Sequence, residues 1–319
     1  MNNLVLSRNS ENTENTDIIS KIHNIESMLS TFLLSQDIKQ SSRDLYKRTL
    51  KLFFRWVEEN GLELSKLTIA DIIRYKEDAL ANAKSSLTVG SYLTAIRKFY
   101  EYLEANKIYP NIARGVKTPK RVQEFKKLAL TPDQCKDLLH YLESKRKRDY
   151  AIVNLLLRTG LRTIEVKRAL VEDVTFKSGK RVLLVQGKGR DNKDSFVILT
   201  DKAYRPIQEY LKTRGKVKGK EPLFLSTSNN SIGKTLTTRS ISKIVKDALI
   251  AIGIDNKHIT AHSLRHTTAI NILKQGGSLT DAQGVLRHSS PNTTQIYTKS
   301  IEEELRIEHA PEELIDKVY

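Results

Sequence analysis

Two prolines divide this chain. Tyr109-Pro110 closes one pattern and Thr131-Pro132 opens another. Proline lacks a backbone donor and biases its predecessor away from helix, so helices stop at such places. Before the first break the pattern is helical throughout. From Asp17, which can cap, Ile18, Ile22, Ile25, Leu29 and Phe32 recur at helical spacing. A second helix is predicted over 42–60, ending at Gly61, with Leu45, Leu52, Trp56 and neighbouring aromatics as its buried face. Lys47, Lys51 and Arg55 stand at i, i+4 and i+8 on another face, either a phosphate-binding stripe or a solvated one. A third helix is predicted over 68–81 and a fourth over 86–106. In the fourth, Val89, Leu93, Ile96, Tyr100 and Leu103 face inward, and Arg97 and Lys98 outward. Residues 1–16, rich in Asn, Ser, Thr and Glu, read as a disordered leader. The stretch 17–110 reads as an all-helical domain with an extra helix at its start.

Residues 111–130 carry Gly115, Pro119 and many cations, among them Lys117, Lys120 and Arg121. They form either an interdomain linker that also touches phosphate or an ordinary charged linker. Thr131-Pro132-Asp133-Gln134 then starts a helix, threonine as cap and proline in the first helical position. In this second domain, 131–300, an apolar helix at 149–157 leads into Thr159-Gly160-Leu161-Arg162. The runs 181–185 and 195–199 read as strands around a flexible hairpin turn, Gly187 to Asp194. Helices resume near Lys202, Ser240, His262, Leu279 and Ile301. The expected class is mainly α, with a small antiparallel β-sheet in the second domain. The tail 301–319 is acidic, and Leu305, Leu314, Ile315 and Val318 could seat it on a neighbouring protomer or on its own domain.

Charge narrows the partner. The formal net charge is +17, which points to a polyanion, nucleic acid first, or else to general solubility and stickiness. Cys135 is the only cysteine, so an intramolecular disulfide and a cysteine-rich zinc module are excluded, and a reducing cytoplasm fits. The first residues show no secretion signal, and no apolar run approaches the roughly 20 residues that cross a bilayer.

The motifs in the second domain suit cleavage of a phosphodiester without a metal. Its transition state gathers negative charge on two non-bridging oxygens, which guanidinium groups match with paired donors. Arg162 and Arg265 are the candidates, each worth about 3 kcal/mol or more of barrier by analogy with oxyanion donors. The leaving 5′-oxygen needs a proton. Lys188, between Gly187 and Gly189, can supply it, or is an ordinary turn lysine. His262, Arg265 and His266 share a helical face near a helix start, where an anion is favoured. The two histidines could instead bind zinc, but the glutamate of His-Glu-x-x-His is missing, or the cluster is structural. Tyr297, activated by clustered cations, is the candidate nucleophile among 12 tyrosines.

Taken in order, Arg162, Lys188, His262, Arg265, His288 and Tyr297 resemble the Arg–Lys–His-x-x-Arg–His/Trp–Tyr series of the tyrosine recombinase (phage integrase) family. The resemblance covers about residues 29–300. Thr-Gly-Leu-Arg-x-x-Glu, 159–165, matches the family, which makes Glu165 a residue that holds an active-site cation in place. One departure stands out: the family's usual glycine before the second histidine is Arg287. The resemblance implies a helical core-binding domain and a catalytic domain that clamp double-stranded DNA. It implies paired inverted-repeat sites, a homo-tetramer on DNA, a 3′-phosphotyrosyl intermediate and a Holliday junction. A directionality factor is left open. No nucleotide cofactor or metal is needed, because the phosphotyrosine bond conserves the energy of the cleaved one. Consistently, Ser-Ile-Gly-Lys-Thr, 231–235, is not a Walker A loop, since Ser228 stands where its first glycine belongs. Two other readings are a type IB topoisomerase and an inactive DNA-binding accessory protein.

Overall fold

The computed structural model describes residues 25–120, 128–187 and 190–287, with Asp316 and Val318. The leader, the start of the first helix, Arg121, Lys188, His288, Tyr297 and nearly all of the acidic tail lie outside the described residues. The chain splits into two compact units, Met1–Gln123 and Glu124–Tyr319. Among the described residues, no helix is long and apolar enough to cross a membrane.

The first unit is helical. α1 covers 25–35, α2 Gln40–Glu59, α3 Ile69–Ala81 and α4 Ser86–Ala105. Each start has a local cause. Thr68 and Asp71 form a capping box on α3, and the Ser85 hydroxyl accepts from the Thr88 N–H on α4. The core is aromatic. The Phe32 ring of α1 packs edge-on to Phe99 at 5.4 Å and lies 5.6 Å from Tyr102, and Phe53 meets Tyr75 at 5.1 Å. Trp56, half-buried, donates its indole N–H to Asp78 at 2.9 Å, so its polar end is satisfied while its ring packs.

Two expectations need correction here. The buried face of α2 is Thr49, Leu50, Phe53 and Val57; of the expected residues the neighbouring aromatic Phe53 is buried, while Leu45 and Leu52 are exposed. Leu50, Phe53 and Val57 also follow helical spacing, and they present the larger continuous apolar surface to α4. The helix is therefore turned by roughly 100°, one residue, from the expected face. Lys47, Lys51 and Arg55 are exposed, on the side away from that core. The second correction concerns Arg97, expected to point outward. It is half-buried and donates to the Val116 carbonyl. Val116 and Ala113 are buried in this same core, so the start of the expected linker is part of the first unit.

The second unit is built around α6 (Lys147–Thr159), whose Ala151, Ile152, Val153, Leu155 and Leu156 are all buried. Against it pack α5 (Pro132–Glu143), α8 (Asp201–Thr213), α9 (Thr238–Ala251) and α10 (Ala261–Lys274). α5 starts with the Thr131 cap and Pro132, and a Thr131–Gln134 capping box. α7 (Thr163–Arg168) follows α6, and α11 (Leu279–Leu286) follows α10. A three-stranded antiparallel sheet, order β1-β2-β3, joins β1 (Val174–Lys177), β2 (Lys180–Val185) and β3 (Ser195–Ile198). The register pairs Val174 with Leu183, and Val182 with Ile198. β1 is a strand the periodicity did not flag, because four residues are too few to show alternation. Its turn carried a signal: Ser178 and Gly179 both have positive φ, 49° and 75°, as a tight two-residue hairpin requires.

Phe32 is wholly buried, so α1 belongs to the first unit's core. Phe32→Ala should lower the stability of that unit by about 3–5 kcal/mol, read by chemical denaturation. Leu34→Ala, at an exposed neighbour, should stay within about 0.5 kcal/mol of wild type.

Candidate active site

α6 stops at Gly160, which is left-handed (φ 60°, ψ 23°). A Cβ there would stand 2.5 Å from Leu286 Cδ2. The left-handed backbone favours glycine, and any side chain would also have to displace Leu286, which accounts for the glycine of the Thr-Gly-Leu-Arg motif. The chain then turns into α7 with Arg162 at its N-cap. Glu165, in the first turn, is buried. Its Oε2 accepts the Arg162 backbone N–H at 2.7 Å and its Oε1 accepts the Arg162 guanidinium at 3.1 Å. A carboxylate is favoured at this end of a helix, and here it also fixes the side chain of the residue before the helix. The Arg162 side chain keeps 29% exposure, against 1% for Glu165, so the cation is the member of the pair that meets solvent.

α10 brings the second arginine from the opposite direction. Over 261–270 every residue is buried except His262. Arg265, 1% exposed, donates to the carbonyl oxygens of Gly160 and Leu286. These acceptors stand two residues before Arg162 and one before Arg287. The His262 ring lies edge-on to His266 at 4.7 Å, and His266 is buried. Among the described residues, no group of three or more His, Cys, Asp or Glu is placed to hold a metal ion.

α11 ends at Arg287, also left-handed (φ 55°, ψ 46°). A side chain there costs roughly 1–2 kcal/mol of backbone strain, which explains why glycine is usual at this point. The Arg287 guanidinium turns back. It donates to the Val285 carbonyl at 2.6 Å and to Glu165 Oε2 at 2.9 Å. Burial pushes its pKa below the ordinary arginine value. Glu165 opposes that shift and the Arg162 charge adds to it. Arginine nonetheless remains a cation in proteins. One buried carboxylate thus serves two guanidiniums.

The hairpin that bears Lys188 is pinned on both legs. Arg168, the last residue of α7, donates to the Gly187 carbonyl at 2.9 Å. On the far leg Lys193 pairs with the buried Asp173 at 2.6 Å. The structure therefore brings Arg162, Glu165, Arg265 and Arg287 together and anchors the hairpin to the end of α7. Arg168 and the Arg287–Glu165 pair were not foreseen. The signal for the second was the arginine in a glycine's place. The candidate DNA contacts Lys117 and Lys120 are exposed, as is Lys98, which pairs with Glu101 at 2.7 Å.

Residues 129–304 match the phage integrase family, and residues 25–107 match the phage integrase N-terminal SAM-like domain. The chain belongs to the phage integrase family. It is a tyrosine recombinase, an enzyme of site-specific DNA strand transfer. It is 38% identical over 213 residues to tyrosine recombinase XerC of Pelobacter propionicus, covering 66% of this chain and 67% of that protein. It is 27% identical to tyrosine recombinase XerD of Proteus mirabilis over 93% of each. The fold is that of XerH site-specific recombinase bound to palindromic difH substrate, in a post-cleavage complex. The TM-score is 0.69 at 20% identity, over 84% of this chain and 79% of that one.

Removing the shared carboxylate would leave Arg287 buried without its ion partner. Glu165→Ala should therefore cost about 3–5 kcal/mol of stability in denaturant unfolding. A loss under about 1 kcal/mol would mean that the guanidiniums find other partners.

Proposed function

We propose that this recombinase cleaves one DNA strand at a time through Tyr297, making a 3′-phosphotyrosyl intermediate. Arg162 and Arg265 hold the scissile phosphate, with His262 and His288 beside them. The Tyr297 oxygen attacks phosphorus as the phenolate, its proton having passed to solvent, and the bond to the 5′-oxygen breaks. Lys188 gives that oxygen its proton. The freed 5′-hydroxyl of a partner strand then attacks the phosphotyrosine, re-forming a phosphodiester and releasing the tyrosine. No nucleotide is consumed, since each transesterification exchanges one phosphoester for another.

The observation that carries this reading is the convergence of the arginines. Arg265 is held by the carbonyls of Gly160 and Leu286, in the two segments that lead to Arg162 and to His288. Three stretches far apart in sequence thus meet at one cationic corner. The pinned hairpin supports Lys188 as the acid, because Gly187 immediately before it is held by α7. A guanidinium cluster placed where charge develops acts without reorganising at the moment of reaction.

The partner is double-stranded DNA with paired inverted-repeat sites, on which the chain works as a homo-tetramer through a Holliday junction. The exposed stripe Lys47, Lys51 and Arg55 on α2, with Lys98, Lys117, Lys120 and Arg121, faces the phosphate backbone. Arg97 takes a supporting place, holding Val116. A directionality factor would bias the outcome. The protein acts where the DNA is, in the cytoplasm.

Two measurements test this. Nicked duplexes from the DNA flanking the protein's own gene should yield a covalent adduct without added metal. Tyr297→Phe should bind the same duplex and form none. Recombination by that variant at the wild-type rate would sink the mechanism. Binding should also weaken steeply between about 50 and 200 mM salt, by roughly a thousandfold for six or more phosphate contacts. A flat response would rule out a backbone-tracking surface.

A further inference from the structure

Arg287 is a costly residue at its position. Its backbone is left-handed, and its Nε is buried with no hydrogen-bond partner among the described residues. Glycine would relieve both. What arginine adds is two contacts from its guanidinium, one to the Val285 carbonyl two residues back at 2.6 Å and one that reaches another segment, to Glu165 Oε2 at 2.9 Å. That same oxygen accepts the Arg162 backbone N–H, and its twin accepts the Arg162 guanidinium. Arg287 itself is nearly enclosed, with 11% of its side chain exposed, against 29% for Arg162, so of the two guanidiniums on Glu165 it is Arg162 that is more open to a ligand.

The charges decide what such a contact does. Glu165 paired with Arg162 alone makes a neutral couple. With Arg287 the same carboxylate is shared between two cations and the group is net positive. A carboxylate drawn toward a second guanidinium competes less for the first. Arg162 then keeps more of its field for an incoming anion, while its backbone stays tied. Arg265 secures the geometry by holding the Leu286 carbonyl, one residue before Arg287.

We propose that Arg287 is a positioning residue for strand cleavage. It acts through Glu165 to hold and electrostatically free Arg162 for the scissile phosphate. This rests on reading Arg162 as a phosphate-binding residue.

The test measures covalent-adduct formation in single turnover, with full-length protein and the nicked flanking-DNA duplexes. Wild type, Arg287→Gly, Glu165→Gln and the double variant are compared, with duplex affinity and melting temperature measured for each. An adduct with wild type is the check on the underlying reading, and its absence would fail that reading rather than this one. Arg287→Gly should fold, since glycine suits the left-handed backbone; Arg287→Asn replaces it if it does not. The variant should bind duplex within about twofold of wild type and cleave about tenfold or more slowly, the scale of a displaced catalytic group. The double variant should cleave no more slowly than Glu165→Gln alone, because Arg287 works only through that carboxylate. Wild-type cleavage by Arg287→Gly would overturn the proposal. So would a further tenfold loss in the double variant, which would assign Arg287 a direct contact with DNA.

Discussion

A buried guanidinium with backbone carbonyls as acceptors sets the geometry of this catalytic unit. Arg265 reaches the Gly160 carbonyl at the end of α6 and the Leu286 carbonyl at the end of α11. Helix ends leave carbonyls unsatisfied, and a cation is the natural partner at that pole. One side chain therefore closes two helices and also sets the direction in which the chain leaves each. The packing agrees with the hydrogen bonds. Leu286 fills the space beside Gly160 that any side chain there would occupy. Both contacts tie the segment that bears Arg162 to the one that bears Arg287.

On that frame the first unit and the second divide their tasks by chemistry. The helical unit spends its aromatic residues on a core that Phe32, Phe53, Tyr75 and Phe99 fill from four helices. Most of its lysines and arginines are left to the outside, while Arg97 and Arg43 are half-buried and donate to the Val116 and Gln36 carbonyls. The catalytic unit does the reverse with part of its charge. It buries Glu165, Asp173 and Arg265 beside α7 and the hairpin, where each fixes a segment of chain. Burying charge is costly without partners, and each carboxylate here has a cation and a backbone N–H to receive.

Which parts were legible in the sequence follows from the same physics. Long amphipathic helices with capping residues, such as α4 with Ser85 and α5 with Thr131-Pro132, could be read closely because local rules decide them. The turn at 159–165 was legible as well, since glycine, arginine and glutamate at fixed spacing state their own backbone needs. The buried side of α2 was not. Two apolar stripes lay one residue apart, and only packing against α4 chose between them. The short β1 strand was missed for want of length. Arg97 was misplaced because its acceptor, the Val116 carbonyl, belongs to a segment that reads as linker until the core is seen to include it. The Arg287–Glu165 pair spans 122 residues and no local rule reaches that far. Its trace in the sequence was negative, a side chain where the left-handed backbone asks for glycine.

On the proposed reading, that residue sets stability against reactivity. A corner with two guanidiniums on one carboxylate is net positive, and such a cluster is at a disadvantage until an anion arrives. Strain at Arg287 adds to the cost. A chain selected for stability alone would place glycine there and leave Arg162 and Glu165 as a neutral pair. Retaining the extra cation makes sense if the empty site is held in the arrangement that the charged transition state needs. On that reading, stabilisation is withheld from the resting protein and released when phosphate binds. The rigid parts, Arg265 with Gly160 and Leu286, fit that reading, because they keep the like charges in place.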